Sequence, residues 1–484
     1  MSSIPSEVHV AIAGSGAAGL AAAVTLSEGG ATVAVFEKQR SLGGTSNFFN
    51  GTFAVESKMQ RERFIAYSRD EAFRNIMEYS HWKANALLVR TVVDESAATI
   101  AWLEEQGVVF TGQMINMPRV PQTYHVVKGK GEAVVKALAT QAKNRGVSIF
   151  PGTPVTTLLK QGGRISGVVV SAEGEEVEVA CKAVVIATGG YANNKEWIKK
   201  YTGRDLGVDL IAVGNTGKMG DGIRMAWELG AACDGVDSLE LIRVGPVGDE
   251  FAMGGDLEVV AMQPDLWLTS KGERFCDEGL AFHDTHSGNA NLRAAIDGYT
   301  LSIFDDSIID DILKSGIDRG LGPEHPPGYV PTGVRKELEA IMSTGTTEIF
   351  RAGSVEELAR LAGMEPTTLR MTIDDYNRFC AKGHDDLMAK DPNLLRPLVG
   401  PTFYAVKART VTLGTKGGIK INERTEVVDA KGTPIPGLYA GGFDAGGMYG
   451  DSYPIHVSSG LSSAFAINSG RIAGRNALRY VGLA

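Results

Sequence analysis

The sequence predicts an α/β fold, in which a parallel-sheet domain built from both ends of the chain is interrupted by an α+β domain. A strand–helix–strand pattern spans Val8–Ala13, Ala17–Glu28 and Ala31–Glu37. Apolar strands that end in paired glycines recur near residues 188 and 440. Between residues 244 and 412, short strands and helices alternate with more Pro and Asp. We therefore predict residues 1–243 and 413–484 as two parts of one domain and residues 244–412 as the second.

Composition excludes several classes of protein. The 484 residues carry a net charge of −9, which argues against a nucleic-acid-binding surface. The four cysteines show no CxxC spacing, so the usual zinc, iron–sulfur and attached-haem signatures are missing. The start is short and polar, and no run approaches about 18 uncharged apolar residues. We expect a cytoplasmic protein without a membrane span. Glycine is in excess, with 60 residues.

The first glycine cluster lies between the first strand and the first helix. In such a loop one glycine permits the tight turn, the next lets backbone approach a pyrophosphate, and the last lets helix pack on strand. The phosphate then binds the amides of the helix N-terminus, and an acid at the end of the second strand accepts hydrogen bonds from a ribose. The pattern predicts a Rossmann-like dinucleotide site made by Gly14, Ser15, Gly16, Ala17, Ala18, Gly19 and Glu37.

Three further motifs, Ser41–Ser46, Val185–Gly190 and Gly437–Gly442, follow in order. They resemble those of FAD-dependent flavoproteins of the two-dinucleotide-fold type. The resemblance implies FAD, bound non-covalently because no histidine stands beside Thr45 where family members tether it. The resemblance also implies a second group of FAD-binding residues: Lys38, Gly43, Gly44, Thr45, Ser46, Val155, Thr188, Gly189, Asp221, Gly442, Ser459 and Leu461.

The resemblance narrows to the fumarate reductase/succinate dehydrogenase flavoprotein family, which includes the 3-ketosteroid dehydrogenases. Gly214–Gly222, Lys271–Glu278, Phe304–Asp306 and Gly437–Gly442 carry it. It covers essentially the whole chain. It implies an FAD-binding domain interrupted by a capping domain that helps to hold the substrate. It also implies hydride transfer between the flavin and a carbon of an activated C–C bond, with a protein group handling the proton.

The sequence departs from fumarate reductases at the three substrate positions that can be aligned. Phe282 stands in place of a proton-shuttling arginine, Leu413–Lys416 lacks the substrate histidine, and Gly450–Pro454 lacks the arginine of the final loop. A dicarboxylate would have little charge compensation there. Fumarate and succinate are therefore not the expected substrates.

The final loop is instead similar to that of 3-ketosteroid dehydrogenases, in which the tyrosine of a Tyr-Pro pair polarises the substrate ketone. Tyr453 would hydrogen-bond an oxygen that becomes enolate-like. His283 is suited to proton transfer near neutral pH. Tyr124 and His125 lie in a segment that approaches the active site in the family. Each of these four candidate catalytic residues has a structural alternative. His283 and His286 lack a third ligand, so no metal site is predicted.

The leading prediction is an FAD-dependent oxidoreductase acting on a CH–CH bond next to a carbonyl. We expect an α,β-dehydrogenase (desaturase) of a cyclic ketone, such as a ketosteroid or an oxocyclohexanecarboxylate. One alternative is a flavin-dependent reductase of an enone or unsaturated carboxylate, in which Lys416 or Arg409 would meet a single carboxylate. A third possibility is a flavin-binding protein without turnover. Because no haem motif is present, the electron acceptor or donor must be external.

Overall fold

The computed structural model describes residues 4–114, 120–248 and 250–483. The chain is a mixed α/β protein, as predicted. It divides into two compact units. The first comprises Met1–Gly203, Val213–Glu240 and Leu413–Ala484, and the second comprises Arg204–Ala212 and Leu241–Thr412. The short segment Arg204–Ala212, which has no distinctive composition, thus belongs to the second unit.

The strands follow one another with several long crossovers between parallel neighbours. In chain order they are β1 (Glu7–Ala13), β2 (Val33–Glu37), β3 (Gly51–Phe53), β4 (Phe110–Met114), β5 (Tyr124–Val127), β6 (Ser148–Pro151), β7 (Val155–Gln161), β8 (Arg164–Ala172), β9 (Glu175–Ile186), β10 (Leu210–Ala212), β11 (Cys233–Asp234), β12 (Leu239–Gly245), β13 (Leu266–Leu268), β14 (Thr300–Asp305), β15 (Ile349–Ala352), β16 (Phe403–Thr415), β17 (Gly418–Ile419), β18 (Glu426–Val428) and β19 (Pro434–Ala440).

The helices connect these strands. In chain order they are α1 (Ala17–Glu28), α2 (Lys58–Glu62), α3 (Arg69–Tyr79), α4 (Ala86–Glu105), α5 (Lys130–Asn144), α6 (Lys195–Thr202), α7 (Asp221–Glu228), α8 (Asp256–Ala261), α9 (Asp284–Ala294), α10 (Asp306–Ser315), α11 (Val334–Met342), α12 (Val355–Ala362), α13 (Pro366–Lys382) and α14 (Leu461–Val481). Within the described ranges, none of the helices has the length and apolar character needed to cross a bilayer.

The main sheet of the first unit has eight strands. Its path runs β18-β19-β9-β1-β2-β6, and β7 and β8 extend it antiparallel from β9. The pairs β1–β2, β1–β9, β2–β6 and β9–β19 are parallel. Val10, Ile12 and Val184 are completely buried, as expected of strands covered on both faces. The carboxyl ends of β1, β2, β9 and β19 meet at one edge, where doubly wound sheets bind ligands.

Helices α1 and α14 approach each other closely because both present small residues. A Cβ atom added at Gly470 would lie 2.1 Å from the carbonyl oxygen of Ala18, and one added at Gly474 would lie 2.9 Å from Cβ of Thr25. Every residue from Ala17 to Leu26 is buried. The last helix of the chain therefore covers the first helix, which places the two ends of the chain in one domain.

The second unit is built around a six-stranded sheet. Its order is β10-β16-β14-β13, and β12 and β15 also pair with β16. Apolar residues such as Leu301, Ile303 and Phe304 form its core. Arg274, from the predicted Lys271–Glu278 motif, is buried there and forms ion pairs with Glu278 and Asp385. Buried charges persist only when paired, so this part of the motif has a structural place in the second unit.

Candidate active site

The loop between β1 and α1 has the backbone geometry that a dinucleotide motif requires. Gly14 has a φ of +105°, and a Cβ atom there would lie 2.1 Å from the carbonyl oxygen of Ala187. A Cβ atom at Gly19 would lie 2.0 Å from the carbonyl oxygen of Gly14. Gly16 is the N-cap residue of α1, which begins at Ala17, and no side chain caps the helix there. Only glycines permit the close approaches at Gly14 and Gly19. The backbone amides at the N-terminus of α1 suit a phosphate.

Glu37 ties the end of β2 to this loop. Oε2 of Glu37 accepts a hydrogen bond from the N–H of Ser15 at 2.9 Å and another from the Ser15 hydroxyl at 2.7 Å. Its Oε1 atom accepts from the N–H of Gln39 at 2.8 Å. The carboxylate remains partly exposed. It therefore shapes the loop, while its predicted contact with a ribose stays a prediction.

The second predicted loop, Gly43–Ser46, lies directly against the first. The N–H of Gly43 donates to Oγ of Ser15 at 3.2 Å, and the N–H of Ala17 donates to Oγ of Ser46 at 2.9 Å. Oγ1 of Thr45 is buried and has no hydrogen-bond partner among the described residues. Backbone amides, hydroxyls and one carboxylate thus converge here, and this set of groups suits the pyrophosphate and ribose of FAD.

Other predicted FAD-binding residues form a short chain of contacts in the same unit. Nζ of Lys38 lies 2.7 Å from Oδ2 of Asp221, the first residue of α7. The N–H of Gly222 donates to Oγ1 of Thr188 at 3.1 Å. Val155 begins β7 and is buried opposite Val170 of β8. These contacts join the ends of β2 and β9 to the start of α7.

Asp444 is a site residue that the sequence did not single out. Its carboxylate is completely buried and accepts hydrogen bonds from the N–H groups of Gly189 and Gly190, each at 3.0 Å, and from the N–H of Thr188. Burial raises the pKa of Asp444, and these hydrogen bonds oppose the rise. The amides of Thr188 and Gly189 are thus directed at Asp444. The feature of the sequence that could have indicated Asp444 is its position two residues after Gly442, the last glycine of the terminal motif.

The remaining predicted FAD-binding residues lie in α14 or next to it. The N–H of Gly442 donates to Oγ of Ser469 at 3.0 Å, and a Cβ atom at Gly442 would lie 3.4 Å from Cβ of Ala18. The hydroxyl of Ser459 donates to the Ile455 carbonyl at 2.9 Å. Leu461 is the first residue of α14 and is buried. These contacts bring the final motif beside α1.

Tyr453 lies in the loop that precedes α14 and is 2% exposed. Its oxygen accepts a hydrogen bond from the N–H of Ser462, in the first turn of α14, at 3.2 Å. Two residues earlier in the same loop, Oδ2 of Asp451 lies 2.7 Å from Nζ of Lys83. The predicted carbonyl-polarising residue is therefore held in one place by a helix end and an anchored loop.

Lys416 and Arg409, the two cations considered for a single carboxylate, already have acidic partners. Nζ of Lys416 lies 2.6 Å from Oε2 of Glu240, and Arg409 forms an ion pair with Glu348. Burial lowers the pKa of Lys416 to about 8, and Glu240 opposes this decrease. With both cations paired, this arrangement does not favour recognition of a substrate carboxylate.

His125 and Tyr124 are held by neighbouring groups in β5. His125 is 0% exposed. Its Nδ1–H donates to the carbonyl of Thr123 at 2.9 Å, so Nε2 accepts from the hydroxyl of Ser57 at 2.7 Å. Burial lowers the pKa of His125. The hydroxyl of Tyr124 accepts from the N–H of Asn50 at 3.2 Å, and burial raises its pKa. With both ring nitrogens engaged, His125 has the arrangement of a structural histidine.

His283 belongs to the second unit, where it occupies the N-cap position of α9 but makes no side-chain capping hydrogen bond. Its half-buried ring stacks on His286, with centroids 5.4 Å apart and an interplanar angle of 23°. Burial lowers the pKa of His283, and the neighbouring His286 lowers it further. Across the described ranges no three His, Cys, Asp or Glu side chains are grouped to hold a metal. A neutral imidazole at pH 7 suits acceptance of a proton, and the catalytic role stays a prediction.

Comparison with known proteins identifies the family. Residues 9–457 match the family described as FAD binding domain. The chain is 35% identical over 480 residues to a vinyl phenol reductase of Lactiplantibacillus plantarum, covering 97% of this chain and 96% of the relative. Its fold resembles that of a flavocytochrome c3 fumarate reductase, with a TM-score of 0.75 and 25% identity. The match covers 99% of this chain and 79% of the fumarate reductase chain. The fold also resembles that of a 3-ketosteroid-Δ4-(5α)-dehydrogenase of Rhodococcus jostii RHA1, with a TM-score of 0.75 and 23% identity. That match covers 99% of this chain and 98% of the dehydrogenase chain.

These matches confirm the predicted resemblance and the predicted cofactor, and the glycine loops described above fit FAD. Curated relatives over nearly the whole chain are named as reductases or oxidoreductases. The chain belongs to the FAD binding domain family and is an FAD-dependent oxidoreductase.

Proposed function

We propose that the chain adds hydrogen to, or removes it from, a C–C bond conjugated with an uncharged oxygen group, a phenol or a ketone. The observation that carries the proposal is the buried, neutral Tyr453 in the final loop, where an arginine would favour a carboxylate. The paired states of Lys416 and Arg409 support the same choice. Bound FAD supplies hydride transfer.

Tyr453 is the group we assign to the substrate oxygen. That oxygen gains negative charge as the conjugated bond reacts, and a fixed hydroxyl in a buried site stabilises such charge strongly. The N–H of Ser462 donates to the Tyr453 oxygen. This bond polarises the hydroxyl and strengthens it as a donor.

His283 is the group we assign to the proton. Its pKa is lowered by burial, so it is neutral at pH 7 and takes a proton from the substrate in dehydrogenation. By microscopic reversibility it returns that proton in reduction. Tyr124 is a weaker candidate because burial raises its pKa. We do not assign the proton to His125, because both of its ring nitrogens are bonded.

We propose reduction as the working direction, with electrons from an external donor. The vinyl phenol reductase, with 35% identity over almost the whole chain, supports this direction. A vinyl phenol also has the uncharged oxygen that Tyr453 would bind. Dehydrogenation of a cyclic ketone is the second candidate. Tyr453-Pro454 and the fold shared with a 3-ketosteroid dehydrogenase favour it.

Anaerobic spectroscopy of the FAD-loaded protein tests both directions. We expect 4-vinylphenol or a cyclic enone to restore the oxidised flavin spectrum of the pre-reduced protein. Saturated cyclic ketones should bleach the oxidised protein only if dehydrogenation is the working direction. A protein that binds FAD but reacts with neither set would contradict the proposal. A protein that binds no FAD would contradict the assigned cofactor site.

A further inference from the structure

Lys416 occupies a buried aromatic enclosure in the first unit. Its Nζ atom lies 4.3 Å from the ring centroid of Phe443, 4.9 Å from that of Tyr449 and 4.6 Å from that of Tyr453. The Lys416 side chain is 0% exposed and that of its partner Glu240 is 5% exposed. A desolvated cation over aromatic rings interacts strongly with their faces. The mechanism proposed above makes no use of this cation.

We propose that Lys416 is a positioning residue that acts through Tyr453, because its ammonium group strengthens the Tyr453 hydroxyl as a donor to a phenolate-like or enolate-like oxygen of the substrate. The inference rests on the proposed function of Tyr453. A positive charge near the phenol ring favours partial negative charge on the phenol oxygen, so the O–H bond becomes more acidic. A more acidic donor forms a stronger hydrogen bond to an oxyanion.

Ser462 connects the ion pair to the phenol. Its N–H donates to the Tyr453 oxygen at 3.2 Å, and its hydroxyl donates to Oε2 of Glu240 at 3.0 Å and accepts from Lys416. Ser462 lies in the first turn of α14, where the helix dipole adds positive potential. Two sources of positive potential therefore act on Tyr453, the ammonium group near its ring and the start of α14 at its oxygen.

The ion pair also indicates the class of substrate. Glu240 neutralises most of the Lys416 charge at long range, so a carboxylate bound away from Tyr453 gains little. An oxyanion that accepts a hydrogen bond from Tyr453, whether an enolate formed in the reaction or a bound phenolate, still gains, because Tyr453 transmits the effect over a short distance. This favours phenols and enolisable ketones over carboxylates.

The groups facing Lys416 make its charge dependent on pH. They are Glu240 from β12, Lys218 from the loop before α7, and the phenols of Tyr449 and Tyr453. Burial lowers the pKa of Lys416 to about 8. Burial also lowers the pKa of Lys218 to about 8, although its Nζ donates to the carbonyls of Val213 and Leu413. The ammonium effect on Tyr453 should be lost as pH rises through about 8.

Binding of 4-nitrophenol to the FAD-loaded protein tests the inference without turnover, because its phenol and phenolate forms absorb differently. We expect the wild type to bind the phenolate form and Lys416→Met to bind it about tenfold more weakly. Equal phenolate binding by the wild type and Lys416→Met would overturn the inference and leave the proposed function standing. No phenolate binding by the wild type, or undiminished binding by Tyr453→Phe, would overturn the role of Tyr453 itself.

Lys416→Arg keeps the test decisive if Lys416→Met fails to fold, as judged by thermal unfolding and FAD absorbance. Arginine stays protonated throughout the accessible pH range. We therefore expect the wild type to lose phenolate affinity above about pH 8 and Lys416→Arg to retain it. An unchanged loss of affinity in Lys416→Arg would show that Lys416 does not act on Tyr453 through its charge.

Discussion

Nζ of Lys416 lies 2.6 Å from Oε2 of Glu240, and both side chains are buried. Removing one member of such a pair leaves an uncompensated charge and costs about 3–5 kcal/mol, whereas replacing both members costs far less than the sum. We therefore predict that Lys416→Met and Glu240→Gln each lower the free energy of unfolding strongly, and that the double variant recovers part of the loss. Urea unfolding of the three variants measures this. Strictly additive losses would contradict a coupled pair.

Tyr453→Phe should retain FAD and lose turnover by about 10²-fold, because one donor to the substrate oxygen is removed. Turnover per bound FAD is the quantity to measure. Tyr439→Phe is a matched control, since this buried tyrosine in β19 loses only a 3.3 Å hydrogen bond to the carbonyl of Asn476. If both variants turn over like the wild type, Tyr453 has no role in the reaction.

His283→Ala should remove one limb of the pH–rate profile. Burial and the neighbouring His286 lower the pKa of His283 below the ordinary histidine value of about 6.5. His283 therefore loses its proton at a lower pH than an ordinary histidine does. In the dehydrogenation direction, the wild-type rate should therefore fall as pH decreases through that lowered pKa. His286→Ala should keep the limb and move it to higher pH, because it removes the neighbouring charge. A profile that neither variant alters would return His283 to a structural role.

Gly16→Ala and Gly19→Ala should separate cofactor binding from folding. A Cβ atom at Gly16 would lie 3.4 Å from Oγ of Ser46, an ordinary contact, so the fold should tolerate it. It would occupy the space through which backbone approaches a pyrophosphate, and FAD should bind about tenfold more weakly. At Gly19 the Cβ atom would lie 2.0 Å from the Gly14 carbonyl, which predicts a loss of about 1–3 kcal/mol of stability. Fluorescence titration with FAD and thermal unfolding would measure the two effects, and equal stability losses would contradict the distinction.

The parallel sheet and the cofactor loops were predictable because their signals are local. The predicted helix Ala17–Glu28 has the same bounds as α1, since an alanine-rich segment without proline lies between Gly16 and Gly29. The stretch Phe64–Gln106 contains no proline and has a helical composition, yet it forms two helices, α3 and α4, and not one. The chain turns between them at His81 and Trp82, which adopt positive φ values. No glycine or proline marks that turn, so the sequence carries no signal for it.

The contacts that complete the site depend on residues far apart in the chain. Glu240 and Lys416 come from different segments, and their pairing depends on the tertiary fold. Asp444 reaches the amides of Gly189 and Gly190 for the same reason. A sequence pattern shows that such groups exist but not which of them meet. The glycine motifs were different because each motif specifies its own backbone path.

Reoxidation of the reduced, FAD-loaded protein under anaerobic conditions shows directly which class of substrate the site prefers. Equal concentrations of 4-vinylphenol, a cyclic enone and fumarate would be mixed with it, and the return of the flavin absorbance would be timed. Tyr453 and the paired state of Lys416 predict faster reoxidation by an uncharged substrate than by fumarate. Faster reoxidation by fumarate would show that this site does not prefer a C–C bond conjugated with an uncharged oxygen.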